Sequence, residues 1–200
     1  MALSRSDVLH AALAILDEYG LGDLTMRRLA TSLGIQPGAL YWHFASKQAL
    51  LGAIADEILR AVDGPVPAGD WDTRIIELAH RLRAALLAHR DGAEVVAAAY
   101  ALRAGRGNTV PLMVAVLTDA GFTPDEAELA ALTVLHYVFG HTADEQSHAQ
   151  SLALGVAGVT ADAASSAGPE GGTSGDLSGE TARFGFGLSV FVDGLRTRLV

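Results

Sequence analysis

One short segment of the sequence concentrates side chains that donate hydrogen bonds or carry positive charge. Tyr41 and His43 can donate to phosphate oxygens, and Lys47 is the only lysine of the chain. Gln36 can pair with the N6 and N7 atoms of adenine, and Ala39 can contact a thymine methyl group. These residue types, so close together, predict contacts with the backbone and the base edges of double-stranded DNA.

A helix pair joined by a glycine turn is predicted to present this segment. Thr25 can cap a helix over Met26–Leu33, and Gly34 tolerates the backbone conformation of a tight turn. Pro37 suits the first position of the second helix, and Leu40 supplies its apolar anchor. Burial of that anchor leaves the Tyr-Trp-His run exposed, which is costly unless a partner covers it. The competing interpretation is a plain helical hairpin with solvated charges.

The apolar spacing elsewhere predicts helices, and no strand alternation is visible. Ser6 is predicted to cap a first helix that ends at Gly20 in the left-handed conformation. Ser46 is predicted to cap a helix over 47–62. Gly, Ser, Ala and Asp dominate residues 157–180, which predicts a mobile loop. The remaining predicted helices cover about 71–89, 92–104, 110–120, 124–154 and 181–199.

Composition and charge narrow the class of protein. Half of the 200 residues are hydrophobic, no cysteine is present, and the net charge is −9. Most of that negative charge lies in residues 63–200, whereas the charged residues within 24–48 are Arg27, Arg28 and Lys47. An acidic body with a small cationic end would orient on DNA by that end. Neither a secretory signal nor a membrane span is predicted, so we expect a soluble cytoplasmic protein.

The segment LTMRRLATSLGIQPGALYWHFASKQALL resembles the DNA-binding domain of the tetracycline repressor (TetR) family. Further along, WDTRIIELAHRLRAALLAHRDGA, LTVLHYVFGHTADEQSH and FGFGLSVFVDGLRTRL follow that family in order. The resemblance implies an all-α homodimer with an N-terminal helix-turn-helix domain over 1–48, a connecting helix over 47–62, and a C-terminal ligand-binding and dimerisation bundle over 63–200. The candidate DNA-binding residues are Thr25, Arg27, Arg28, Gln36, Pro37, Gly38, Ala39, Tyr41, Trp42, His43 and Lys47. Because 37–39 is less polar here than in tetracycline repressors, we expect a different operator.

The resemblance also places the ligand pocket, and there this chain departs from the family. The matching positions of the family's polar anchors for magnesium-tetracycline carry Val62, Leu78, Val96, Met113, Ala99 and Tyr100. Val96 replaces the magnesium-coordinating histidine and offers no lone pair to a hard cation, and among the anchors only an acid, Asp144, remains. Unpaired polar groups of a bound chelate would each cost roughly 1–3 kcal/mol. We therefore expect a small, largely apolar effector and no cofactor.

The candidate ligand-binding residues are therefore mostly apolar. The alternative interpretation is that they are plain core residues with no cavity between them. The candidates are Val62, Leu78, Leu82, Val96, Tyr100, Met113, Leu117 and Asp144.

One cluster has the spacing of metal ligands. His141, Glu145 and His148 stand at i, i+4 and i+7 on one helical face, which could bind a divalent ion. A polar stripe at a subunit contact or at a pocket rim is the competing interpretation. No glycine-rich phosphate loop follows a strand and no G-x-S-x-G motif occurs, so we do not predict an enzyme.

The resulting hypothesis is a ligand-responsive transcriptional regulator, most simply a repressor. Two copies would pair through the last helix and the 124–154 helix, and a bound effector would release a palindromic operator. One alternative is a helical bundle that sequesters a small molecule or a metal and does not bind DNA. Another is a helical enzyme that depends on Asp144, Glu145 or His148.

Overall fold

The computed structural model describes residues 3–65, 68–105, 109–153, 155 and 179–199. The described residues form helices and connections without a strand, so the predicted all-α fold class is confirmed. Nearly all of the predicted loop over 157–180 lies outside the described residues. The helices are α1 Arg5–Tyr19, α2 Met26–Ser32, α3 Pro37–Leu40, α4 Lys47–Leu59, α5 Trp71–Leu87, α6 Gly92–Ala101, α7 Thr109–Asp119, α8 Pro124–Ala153 and α9 Glu180–Arg196.

The first helix begins two residues earlier than predicted. Ser4 is its N-cap: the Ser4 hydroxyl accepts from the Asp7 amide at 3.1 Å, and the Asp7 carboxylate accepts from the Ser4 amide at 2.8 Å. The prediction of Ser6 was wrong because this reciprocal capping box needs an acid three residues after the cap. Gly20 has a positive φ of 85° but an extended ψ of 175°, so the predicted left-handed cap was also wrong.

Helices α1 to α3 and the start of α4 form a small unit, which we call the head. Its interior is apolar: Val8, Leu16, Leu29, Leu40 and Phe44 are all at most 2 % exposed. Helix α4 continues from the head into the rest of the chain, which we call the body, and packs there against α6. Helix α4 therefore forms the covalent connection between the head and the body.

The body is built around α5 and the long helix α8. Helix α5 contacts α6, α7, α8 and α9, and α7 lies along α8. At the start of α8 the hydroxyl and amide of Thr123 donate to the Glu126 carboxylate at 2.7 and 3.1 Å, and both bonds lower the pKa of that carboxyl. In the described part of the chain, no helix is long and apolar enough to cross a bilayer.

Helix α9 is fastened to the body at both ends. The Tyr137 hydroxyl on α8 donates to the Phe184 carbonyl at 2.8 Å, and burial raises the pKa of that phenol. Near the other end Arg196 forms an ion pair with Asp72 of α5, which lowers the pKa of the Asp72 carboxyl. These contacts hold α9 against α5 and α8, and one face of α9 stays open to the outside.

Candidate functional site

The exposed end of the head is a short helix on a glycine turn. The Thr25 hydroxyl caps α2 by accepting from the Arg28 amide at 3.1 Å. Gly34 follows α2 with a φ of +66°, and the Ile35 amide donates to the Ala30 carbonyl at 3.0 Å. Pro37 stands in the first turn of α3, where its missing N–H costs nothing. The turn and caps that the sequence predicts here are therefore present.

Exposure separates the two sides of this helix. Leu40 and Phe44 are buried in the head, whereas Tyr41 is 53 % and Trp42 is 90 % exposed. Helical hydrogen bonds continue past α3, since the amides of His43 and Phe44 both donate to the Leu40 carbonyl at 2.9 Å. The buried pair thus anchors a turn whose aromatic tip faces outward. Gln36, Pro37 and Gly38 are also exposed, and Ala39 and His43 are half-buried.

Gly38 has no structural reason to be glycine within the head. Its φ is not positive, and a Cβ built on it would meet nothing within 4 Å. Glycine in a helix costs about 1 kcal/mol relative to alanine, so the residue is a liability for the isolated fold. A glycine that packing does not require lets another molecule approach the backbone closely.

The predicted cationic residues differ in their surroundings. Arg27 and Lys47 are exposed, and Lys47 is the first residue of α4, which Ser46 caps. Arg28 instead pairs with Asp23 and lies over the ring of Tyr19, 4.0 Å from its centroid. Arg28 and the cap Thr25 therefore have structural roles in the head. Their contacts with nucleic acid remain predictions.

A cavity of about 420 Å³ lies in the body between α4, α6, α7 and α8. Of the predicted ligand-binding residues, Val96 and Tyr100 line it. Asp144 is exposed on α8 and is absent from the wall. Five further predicted residues are at most 1 % exposed and belong to the packed core, outside this cavity's wall: Val62, Leu78, Leu82, Met113 and Leu117.

Several wall residues were missed by sequence reasoning. Ala55 and Leu59 stand one turn apart on α4, and Leu135 and Phe139 stand one turn apart on α8. That spacing marks one face of each helix, but only the packing of the four helices shows that the faces meet. The remaining wall residues outside the prediction are Asp56, Ala99, Ala101, Arg103, Gly105, Thr109 and Val110.

The wall of the cavity is mainly apolar and partly aromatic. The ring of Tyr100 lies edge-on to that of Phe139, with centroids 6.3 Å apart. Asp56, Thr109 and Arg103 contribute polar groups to the wall. Arg103 lies just after α6 and has a positive φ of 50°. An apolar interior with a few polar groups is typical of a small-molecule site.

The candidate metal ligands do not assemble into a metal site. The Arg83 guanidinium donates two hydrogen bonds to the Glu145 carboxylate, at 2.6 and 2.9 Å. His141 packs edge-on against Phe184, with ring centroids 5.3 Å apart. Within the described residues no group of three ligating side chains could hold a metal ion, so the His141, Glu145 and His148 candidate was wrong. The spacing of residues along α8 could not reveal that Arg83 of α5 binds the Glu145 carboxylate.

Two family models match the sequence over nearly its full length. The model described as "Bacterial regulatory proteins, tetR family" matches residues 8–54. The model described as "Tetracyclin repressor-like, C-terminal domain" matches residues 64–199.

Individual proteins are similar over the whole chain as well. The tetracycline repressor protein class A from transposon 1721 of Escherichia coli is 35 % identical over 98 % of this chain and 92 % of its own. The crystal structure of Mycobacterium smegmatis BioQ is 42 % identical, with a TM-score of 0.83 over 97 % of this chain and 98 % of that one. A structure of BioQ with its double-stranded DNA operator is 40 % identical, with a TM-score of 0.78 over 97 % and 98 % of the two chains.

Proposed function

This chain belongs to the TetR family of bacterial regulatory proteins, and from that premise we propose that it is a repressor released from a palindromic operator by a small, largely apolar effector. The observation that carries the proposal is the outward Tyr41–Trp42 tip on a helix whose other side is buried. A regulator of this kind acts on operator DNA. We therefore propose that it works in the cytoplasm and that it is not an enzyme.

The head fits the major groove by its chemistry. Tyr41, His43 and Lys47 can donate to phosphates, and Gln36 can read an adenine edge. Gly38 adds the close approach that the fold itself does not need. We expect Arg27 to reach a base edge or a phosphate from α2, and the predicted head spans residues 1–48.

The body supplies a surface for a second copy. Leu129 on α8 is 66 % exposed, and Phe186 and Val190 on α9 are 58 % and 57 % exposed. Gly140 and Gly194 lie inside these helices, and a Cβ on either would meet nothing within 4 Å in the same protomer. Both features favour a homodimer through α8 and α9, which would hold two heads about one DNA turn, roughly 34–36 Å, apart.

The cavity beside α6 is the proposed effector site. An occupant that binds one conformer of the dimer more tightly shifts the equilibrium toward that conformer and its spacing of the heads. The size of the shift equals the difference in binding free energy, typically 1–3 kcal/mol. Val96 in the wall offers no ligand to magnesium, so the proposed occupant is an apolar molecule rather than a metal chelate.

Operator binding is tested with the DNA upstream of the chain's own gene. We expect the purified protein to protect a palindrome there and its affinity to fall steeply between 50 and 200 mM salt, roughly 10³-fold or more if six phosphates are contacted. Binding to no fragment, or binding without salt dependence, would contradict the proposal. Ligand uptake without DNA binding would instead favour the sequestering bundle.

The effector class is tested with a tetracycline. We expect magnesium-tetracycline, added in large excess, to leave the operator complex intact, because Val96 gives magnesium no ligand where the family has its coordinating histidine. The measurement is fluorescence anisotropy of labelled operator, with the Escherichia coli class A repressor and its own operator as the positive control. Release at micromolar magnesium-tetracycline would overturn the proposed apolar effector.

A further inference from the structure

The turn between α5 and α6 touches the head at a point well separated along the chain from α4. The Leu21 amide, just after α1, donates to Asp91 Oδ2 at 2.7 Å. Beside it, His89 Nδ1 lies 3.0 Å from the Asp17 carboxylate, and Arg90 donates to the Glu18 carbonyl at 3.1 Å. Three consecutive residues of the body thus contact the end of α1 and the connection that follows it.

The same turn is held from the body side by α8. Gln150 Nε2 donates to Asp91 Oδ1 at 2.6 Å, so the two oxygens of one carboxylate face the head and the body respectively. One turn earlier on α8, Gln146 donates to the carbonyls of Leu86 and His89 at 3.1 and 2.8 Å. Hydrogen bonds from α8 therefore hold the turn in place within the body, independently of its contacts with the head.

The backbone at this contact is unusual. Asp91 has a φ of 55°, in the left-handed region that non-glycine residues seldom occupy. Opposite it, Gly20 has a φ of 85°, and a Cβ there would lie 2.7 Å from the Asp91 carboxylate. Glycine would relieve the strain at position 91, but it would remove both hydrogen bonds. An aspartate under strain, facing an obligatory glycine, indicates that the carboxylate itself is needed.

Helix α6 connects this contact to the other joint of the head. It begins directly after Asp91, and beyond its end the Ala104 carbonyl packs so closely on α4 that a Cβ on Gly52 would overlap it. Between the two ends, Val96 and Tyr100 line the cavity. Helix α6 therefore has a contact with the head at its start, a contact with α4 beyond its end, and the proposed effector site along its C-terminal half.

We propose that Asp91 is a positioning residue that holds the head at a defined angle to the body, as a second joint beside α4. A head attached through α4 alone could rotate about that helix, and a contact on α1 removes this freedom. An effector that displaces α6 would then alter both joints at once. The inference rests on the proposed function for its effect on DNA, but the geometry of the joint can be tested without DNA.

The absence of cysteine makes that test clean, because a single Ala45→Cys substitution places one spin label on each head of the dimer. We expect Asp91→Ala to broaden the distribution of inter-head distances measured by pulsed electron paramagnetic resonance. In the unlabelled protein we expect it to weaken operator binding about tenfold with circular dichroism and dimer mass unchanged. Asp91→Asn, which keeps one acceptor oxygen for the Leu21 amide, should restore most of both properties.

Two further variants complete the experiment. Gln150→Ala removes only the body-side bond and should broaden the distances less than Asp91→Ala, so it also tests the joint if Asp91→Ala fails to fold. Asp119→Ala removes an exposed carboxylate that pairs with the half-buried Arg74, far along the chain from the turn, and is the control, expected to change neither property. A distance distribution as narrow in Asp91→Ala and Gln150→Ala as in the parent would overturn the second joint. Absence of operator binding in the parent would contradict the proposed function and leave the distance measurement valid.

Discussion

Replacing Tyr41 and Lys47 together by alanine is expected to weaken operator binding by about 100-fold or more and to leave the fold intact. Both side chains are exposed, so their loss removes no core packing. Contacts of this kind contribute roughly 1–3 kcal/mol each, and loss of the Lys47 contact should also lower the salt slope by about 1. The measurement is a titration of labelled operator at several salt concentrations, with thermal unfolding followed in parallel.

A pair of body residues gives the matched control. Arg60 and Leu102 are likewise an exposed cation and an exposed apolar side chain, and Arg60 follows α4, about 20 Å along that helix from Lys47. Alanine at both positions should leave operator affinity within about twofold, because neither belongs to the proposed interface. Unchanged affinity in the Tyr41→Ala, Lys47→Ala variant would contradict the proposal that α3 and the start of α4 contact the operator.

Breaking the ion pair between Arg83 and Glu145 is expected to have the largest effect on stability. The two side chains are 10 % and 17 % exposed, and Arg83 also lies over the ring of Phe184 at 5.2 Å. Arg83→Met would leave a shielded carboxylate without its partner, which costs about 3 kcal/mol. For a chain of this size that corresponds to a Tm lower by roughly 6–12 °C. Differential scanning calorimetry at fixed protein concentration measures it.

Two comparisons separate the charge effect from a general effect of mutating α5. Glu77→Ala breaks the pair between exposed Glu77 and Arg81 on the same helix and should change stability by at most about 0.5 kcal/mol. The double variant Arg83→Met, Glu145→Leu removes both charges and should recover most of the loss. A single variant as stable as the parent, or a double variant no better than the single one, would show that the pair does not act as described.

Local signals in the sequence predicted much of the head. Thr25 and Ser46 cap the predicted helices, Gly34 has the positive φ of a turn, and Leu40 and Phe44 are buried. The caps and the turn depend on atoms within a few residues along the chain, and the burial of Leu40 and Phe44 was predicted from their helical spacing. The misplaced cap of α1 is of the same local kind, since Ser4 and Ser6 are both capable caps and Asp7 selects Ser4.

The ligand site could be predicted only in part. Val96 and Tyr100 line the cavity, but Leu78, Leu82 and Met113 are equally apolar and belong to the core. Hydrophobic spacing identifies the buried face of a helix without distinguishing close packing from an opening. Whether a buried residue borders a cavity depends on how far apart the neighbouring helices lie.

From the residues alone one can predict an all-helical fold, the caps of α2 and α4, the turn at Gly34 and an exposed aromatic and basic tip, because these follow from short-range hydrogen bonding and periodicity. Tertiary structure alone decided the shape of the cavity and the partners of Glu145 and Asp91. Arg83 and Glu145 are 62 positions apart, and Leu21 and Asp91 are 70 apart. No pattern along one helix encodes such a contact, since it exists only where the packing of whole helices brings the two side chains together.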